Sequence, residues 1–264
     1  MANPFKLKNG TLLISTEASG GIYNAMQLKK IATLIEEDTA LIKVTEDQRI
    51  ALFVKESEAA NIATELQSVG LGIRHYQDGL HYPTVCIGEL CQKFKQDALG
   101  TAMQISEELQ NFNSDQRLKI GINGCDSCCV PTHTLDISLV GMEQGYSIHL
   151  GGKNSQVPEL ASFVAEGVPS ELVPSLLKAI IDAFKEEALP EESLQNLIER
   201  KGLARFIKIL SPYSQDANSA SIDDLLIEAD SNAPQTQVED SLLLQADEIL
   251  KDQEEEPMPN KEPT

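Results

Sequence analysis

The chain has 264 residues, with 41 acidic and 21 basic side chains and a formal net charge of −20. Nucleic-acid binding concentrates Lys and Arg against phosphate, so this balance argues against a nucleic-acid partner and against an anionic membrane surface. No apolar run approaches the roughly 18–20 residues of a membrane span, and Met1 to Lys6 has no apolar segment behind its first lysine, so neither a membrane segment nor a secretory signal is expected and the predicted location is cytoplasmic.

In chain order, residues 11–15 read as a strand around Leu12, Leu13 and Ile14. Met26, Leu28, Ile31, Leu34 and Ile35 follow helical spacing over 24–36. Residues 40–45 and 49–54 are β-rich runs joined by the turn Thr45-Glu46-Asp47-Gln48, and a second helix over 57–68 is stopped by Gly70. This β-α-β-β-α order predicts an α+β layer with two helices on one face of a sheet. Residues 70–91 read as loop. A helix is expected over 95–110, then strands at 118–122, 135–140 and 146–150. A strong helix follows over 170–188 with Ser170 as its N-cap, and helices at 191–201 and 203–210 close the body.

The acidity is uneven. Residues 211–264 hold 14 acids and two bases, a net of −12. This tail is rich in Ser, Asn, Gln and Pro and predicts disorder. Two apolar clusters interrupt it, one around Ile222 to Ile227 and one around Leu242 to Leu250. Each is either residual helicity in a solubilising tail or a docking motif for a partner.

The five cysteines, Cys86, Cys91, Cys125, Cys128 and Cys129, lie within 44 residues and in two loops. In a reducing compartment they are thiols or metal ligands rather than disulfides. Four thiolates from two loops suit zinc or an iron–sulfur cluster, with buried structural thiols as the third reading.

The residues 118–129, ending Gly124-Cys125-Asp126-Ser127-Cys128-Cys129, lead into Asp136-Ile137-Ser138-Leu139-Val140-Gly141. Together they resemble the second cluster-binding segment of the nitrite/sulfite reductase family. Cys86-Ile87-Gly88-Glu89-Leu90-Cys91 resembles the first. The resemblance runs upstream through the first 75 residues and downstream to about Leu210. It implies an α+β fold: a ferredoxin-like half domain over 1–75, a siroheme/[4Fe–4S]-binding domain over 76–210 and the acidic tail over 211–264.

By position, the resemblance implies that Cys86, Cys91, Cys125 and Cys129 hold a [4Fe–4S] cluster. Cys129 would also bridge to the iron of a siroheme, and Cys128 would be a bystander. It implies multi-electron reduction of sulfite or nitrite, electrons from a separate donor protein, and one repeat where large members have two, which fits a homodimer. Cationic residues for the anions are expected among Lys93, Lys95, Arg74 and His75 at the substrate and Lys153, Lys43 and Arg49 at the cofactor, with His81 and His133 nearby. His133 also reads as a satisfied core histidine. Two departures stand out. Four residues rather than five separate the first two cysteines, and Asp47 stands where the family carries an Arg, which predicts repulsion of both substrate and siroheme carboxylates. The rival readings are an electron-transfer or sensor protein that holds a cluster without siroheme, and a redox-inert scaffold.

Overall fold

Alternating apolar residues make the first sheet. The computed structural model describes residues 5–38, 41–74, 79–109 and 117–214. In it β2 (Thr11–Glu17) pairs antiparallel with β4 (Ile50–Lys55), which pairs with the edge strand β3 (Leu41–Val44). Two short strands, β1 (Phe5–Lys6) and β5 (Gly72–Arg74), add to the other edge of β2. Leu12 and Ile14 on β2 and Leu52 and Val54 on β4 point to one face, as period-two spacing requires. Helices α1 (Ala25–Asp38) and α2 (Ala59–Gln67) cover that face with Ile31, Leu34, Ile62 and Leu66. Each such fully buried aliphatic side chain contributes about 1.5–3 kcal/mol. The predicted layer of two helices on one sheet is therefore present. The tail from residue 215 on, residues 39 and 40, His75 and Gln110 lie outside the described residues.

The second sheet has the order β10-β9-β8-β7-β6. Its strands are β6 (Thr84–Val85), β7 (Ile120–Asn123), β8 (Ile137–Met142), β9 (Gly145–Leu150) and β10 (Ser162–Val168). β6, β7 and β8 run parallel, and β8, β9 and β10 are antiparallel. β7 is buried at all four positions and β8 at five of six, the continuous apolar run of a sheet covered on both faces. Helix α3 (Ala98–Leu109) lies in the crossover from β6 to β7, and α4 (Val173–Glu187), α5 (Leu194–Lys201) and α6 (Leu203–Leu210) follow the sheet.

Three expectations are corrected. The stretch read as loop from Gly70 to Cys91 contains β5 and β6, which are too short for periodicity to reveal. β10 is bulged twice, between Phe163 and Ala165 and again before Val168, so its sequence does not alternate. Ser170 does not cap a helix: it opens a 3-10 turn, Ser170–Leu172, and its hydroxyl donates to Glu171 Oε2 at 3.0 Å, while α4 starts at Val173.

Among the described residues no helix is long and apolar enough to cross a membrane.

Candidate metal centre

Both cysteine loops leave the same end of the second sheet. Thr84 and Val85 pair with Gly121 and Ile122 in parallel register, so the chain turns off β6 at Cys86 beside the point where it leaves β7 for Gly124 and Cys125. Cys86 N–H donates to Ile122 O at 3.1 Å, which keeps the first cysteine in line with the sheet.

The first loop is a 3-10 turn. Leu90 N–H donates to Ile87 O at 3.3 Å and Cys91 N–H to Gly88 O at 3.0 Å. Gly88 has φ +56, and a Cβ there would lie 2.6 Å from Leu99 N, so glycine is required. Backbone N–H groups aim at the sulfurs: Gly124 N lies 3.1 Å and Gly88 N 3.5 Å from Cys86 Sγ, and Lys93 N lies 3.5 Å from Cys91 Sγ.

The second loop docks on the first through Gly124, whose carbonyl accepts N–H from Lys95 at 2.7 Å and Gln96 at 3.0 Å. These bonds displace the start of α3 from the expected residue 95 to Ala98. Cys125 is 8% exposed, whereas Cys129 is an exposed residue. Between them Cys128 takes a left-handed backbone, φ 44, unusual for a residue with a side chain. Its Sγ lies 3.6 Å from His133 Nε2. Burial first, then the neighbouring Cys125, Asp126 and Cys129, push its thiol above the ordinary value. His133 is half-buried and meets His149 edge-on with ring centroids 4.9 Å apart. Burial, then His133, holds His149 down at about 4.

The cations are distributed differently from expectation. Arg49 was expected at the cofactor, but its Nε donates to buried Glu17 Oε1 at 2.9 Å and its Nη2 to Tyr82 O at 2.7 Å. It is a structural tie between the first sheet and the loop leading to Cys86. His81 Nδ1 lies 2.8 Å from the same Glu17 oxygen. Burial raises the Glu17 carboxyl, but the His81 hydrogen bond and the Arg49 charge outweigh it, so the net shift is downward.

Asp47, for which repulsion was predicted, has cationic neighbours of its own. Lys119 Nζ lies 3.2 Å from Asp47 and Arg49 Nη1 3.7 Å from it, so its charge is balanced inside the protein. Nothing in the sequence singled out Lys119, which is 72 residues away.

Lys95 Nζ sits 3.3 Å from Asp126 and 3.8 Å from Glu143, and Lys153 Nζ lies 3.7 Å from Glu159. Lys93 is exposed beside the first loop, and Lys43 is exposed on β3. Arg74 lies on β5, where its backbone pairs with Ser15. His75 lies outside the described residues.

The donor chemistry fits a cluster. Thiolates that accept backbone N–H groups are the usual setting of iron–sulfur ligation. Among the described residues no three His, Cys, Asp or Glu side chains converge as they would on one ion.

Residues 77–217 match the model of the nitrite and sulphite reductase 4Fe-4S domain, more than half of the chain. This chain belongs to the nitrite and sulphite reductase family. Its matched domain is an iron–sulfur one, and its relatives named sulfite and nitrite reductases are oxidoreductases. An assimilatory-type sulfite reductase of Nitratidesulfovibrio vulgaris is 26% identical over 167 residues, 63% of this chain and 76% of that protein. A nitrite reductase [NAD(P)H] of Bacillus subtilis is 24% identical over 209 residues, 77% of this chain but only 26% of that one. The solved NirA protein of Mycobacterium tuberculosis superposes with a TM-score of 0.66 at 18% identity, over 77% of this chain and 40% of that one. At that identity the superposition shows a shared fold. The chain thus spans three quarters of the Nitratidesulfovibrio vulgaris sulfite reductase and about a quarter of the Bacillus subtilis nitrite reductase.

Proposed function

We propose that this chain is a siroheme- and [4Fe–4S]-dependent reductase of sulfite or nitrite. In this reading Cys86, Cys91, Cys125 and Cys129 hold the cluster, and Cys129 is shared with the siroheme iron. The observation that carries the reading is the meeting of the two loops at Gly124, whose N–H reaches Cys86 Sγ while its carbonyl fixes Lys95 and Gln96. It lies inside the matched iron–sulfur domain. The difference in exposure supports the division of labour. A buried Cys125 suits a ligand to the cluster alone, and an exposed Cys129 leaves its sulfur open to a second iron.

The cluster, when bound, would relay electrons from the donor, and the siroheme would supply the iron at which the oxyanion is reduced. The chain's own residues bind and orient. Lys93, exposed next to Cys91, attracts the anion, and Lys95, held at Asp126, stands beside it as a proton carrier. Arg74 and His75 complete the expected anion-binding set, with Lys153 and Lys43 toward the siroheme carboxylates. Electrons come from a separate donor protein, the protein works in the cytoplasm, and a second copy or the acidic tail supplies further contacts.

A second reading, a cluster-bearing electron-transfer or sensor protein without siroheme, is favoured by one observation. Arg49, Lys95, Lys119 and Lys153 each already face a carboxylate, which leaves few cations for a polycarboxylated tetrapyrrole. Anaerobic purification decides between them. Tetrapyrrole absorption bands with cluster iron and acid-labile sulfide support the reductase. Broad brown absorbance without those bands leaves the second reading, and a colourless, iron-free protein overturns both.

A further inference from the structure

Gln48 ends the turn that begins at Thr45, and it does so with left-handed backbone, φ 61. Thr45 N–H donates to Arg49 O at 2.9 Å and Gln48 N–H to Thr45 O at 3.3 Å, which closes the turn. From that turn in the first sheet, the Gln48 side chain reaches into the second. Its Nε2 donates to Val85 O at 2.6 Å and its Oε1 accepts Val85 N–H at 3.0 Å.

Val85 is the last residue of β6, the edge strand, and the next residue is Cys86. Successive strand residues present their backbone groups to opposite sides. Cys86 N–H faces inward to Ile122 O, so the N–H and C=O of Val85 face outward, where the sheet has no further strand. One carboxamide offers one acceptor and a donor pair, which match that outward pair as a neighbouring strand would. Val85 is 3% exposed, so water is poorly placed to substitute. Gln48 is itself held. A Cβ on Gly21 would lie 3.0 Å from Gln48 Oε1 and 3.1 Å from its Cβ, so the glycine lets the turn Ser19–Gly21 close against it.

We infer that Gln48 is a positioning residue for the metal centre: its side-chain amide acts as a one-residue strand that fixes Val85 and thereby aims Cys86 Sγ at the N–H groups of Gly88 and Gly124. This rests on the cluster reading above. It assigns to the first sheet a direct hand in cluster retention, although that sheet supplies no ligand.

The test uses the full chain loaded anaerobically. Gln48→Met keeps the volume and removes both hydrogen bonds. Gln48→Asn keeps an amide and suits a left-handed backbone, but is one methylene too short to reach. Ile31→Val in the first-sheet core serves as a control for general destabilisation. Iron release to a chelator is followed by bleaching of cluster absorbance, with melting temperature measured alongside. Both Gln48 variants are expected to release iron about ten-fold faster than wild type or the control, the usual scale for outer-shell partners of a metal ligand. Release at the control's rate overturns the role, and if Gln48→Met fails to fold, Gln48→Asn decides alone. A wild-type chain that takes up no cluster instead overturns the functional reading itself, and with it this one.

Discussion

Cys86 and Cys91 stand in a loop whose sulfurs already receive backbone N–H groups, whereas among the described residues no backbone N–H is aimed at Cys125 or Cys129. Behind the first loop lies a polar hub in which Glu17 holds Arg49 and His81. Behind the second lie Asp136, which burial raises to about 6, and His149, which burial and His133 lower to about 4. The first loop is therefore held at its sulfurs by backbone N–H groups. The second has a left-handed Cys128 and an exposed Cys129, and it is closed from below by buried Asn123, whose side chain bonds both N–H and C=O of Val130.

The largest expected effect breaks the fixed side. Cys86→Ser removes the sulfur on which two N–H groups converge and is expected to abolish cluster iron and acid-labile sulfide in protein assembled anaerobically. Retained stoichiometric iron would show that the first loop is no anchor. Next comes Gly124→Ala, which strikes the junction. The added methyl would sit 2.7 Å from Gln96 O, so backbone must shift, and a loss of about 1–3 kcal/mol in denaturant unfolding is expected.

Cys129→Ser and Cys128→Ser sharpen the other side, the second loop. The first is expected to remove tetrapyrrole absorption and leave part of the cluster absorbance, while the second leaves both spectra nearly unchanged. Loss of cofactor in Cys128→Ser alone would move the ligand assignment by one residue.

The smallest effect is a contrast in pH dependence. Glu17 is lowered in the fold, so its share of stability is present above the ordinary 4.5 and lost as pH falls through the lower folded value. Asp136 is raised from 3.8 to about 6, so its share is present at low pH and lost as pH rises between those values. Glu17→Gln is expected to flatten the acid-side loss of stability. Asp136→Asn is expected to remove the loss between about pH 4 and 6, where the depressed His149 then leaves stability rising with pH. Parallel slopes in the two variants would erase the distinction between the loops.

Much of this was legible in residue order, for reasons that differ by element. The helices and long strands show in periodicity because one face of each is buried, as with Ile31 and Leu34 on α1 or Leu52 and Val54 on β4. The two cysteine segments carry their own local pattern, so the resemblance found them and the family match covers them. What the sequence hid is long-range. The pairing of Lys119 with Asp47, the grip of Gln48 on Val85 and the diversion of Arg49 to Glu17 join residues 32 to 72 apart. No local spacing encodes such contacts. A charge count treats Arg49 as available to a ligand, and only the folded chain shows that its guanidinium is already engaged.

The parallel register of β6 on β7 also constrains how the metal centre can change. Because both cysteine loops hang from the ends of these two adjacent strands, the segment that joins them, α3 included, supplies none of the four expected ligands. Its start is nonetheless bound to the ligand loops, through Lys95 and Gln96 at Gly124 O and Leu99 against Gly88. A single residue gained or lost within β6 itself would turn Cys86 to the opposite face of the sheet. The centre is thus closed to insertion from β6 through the start of α3, and a scan of one-residue insertions across residues 80–100 would test that span.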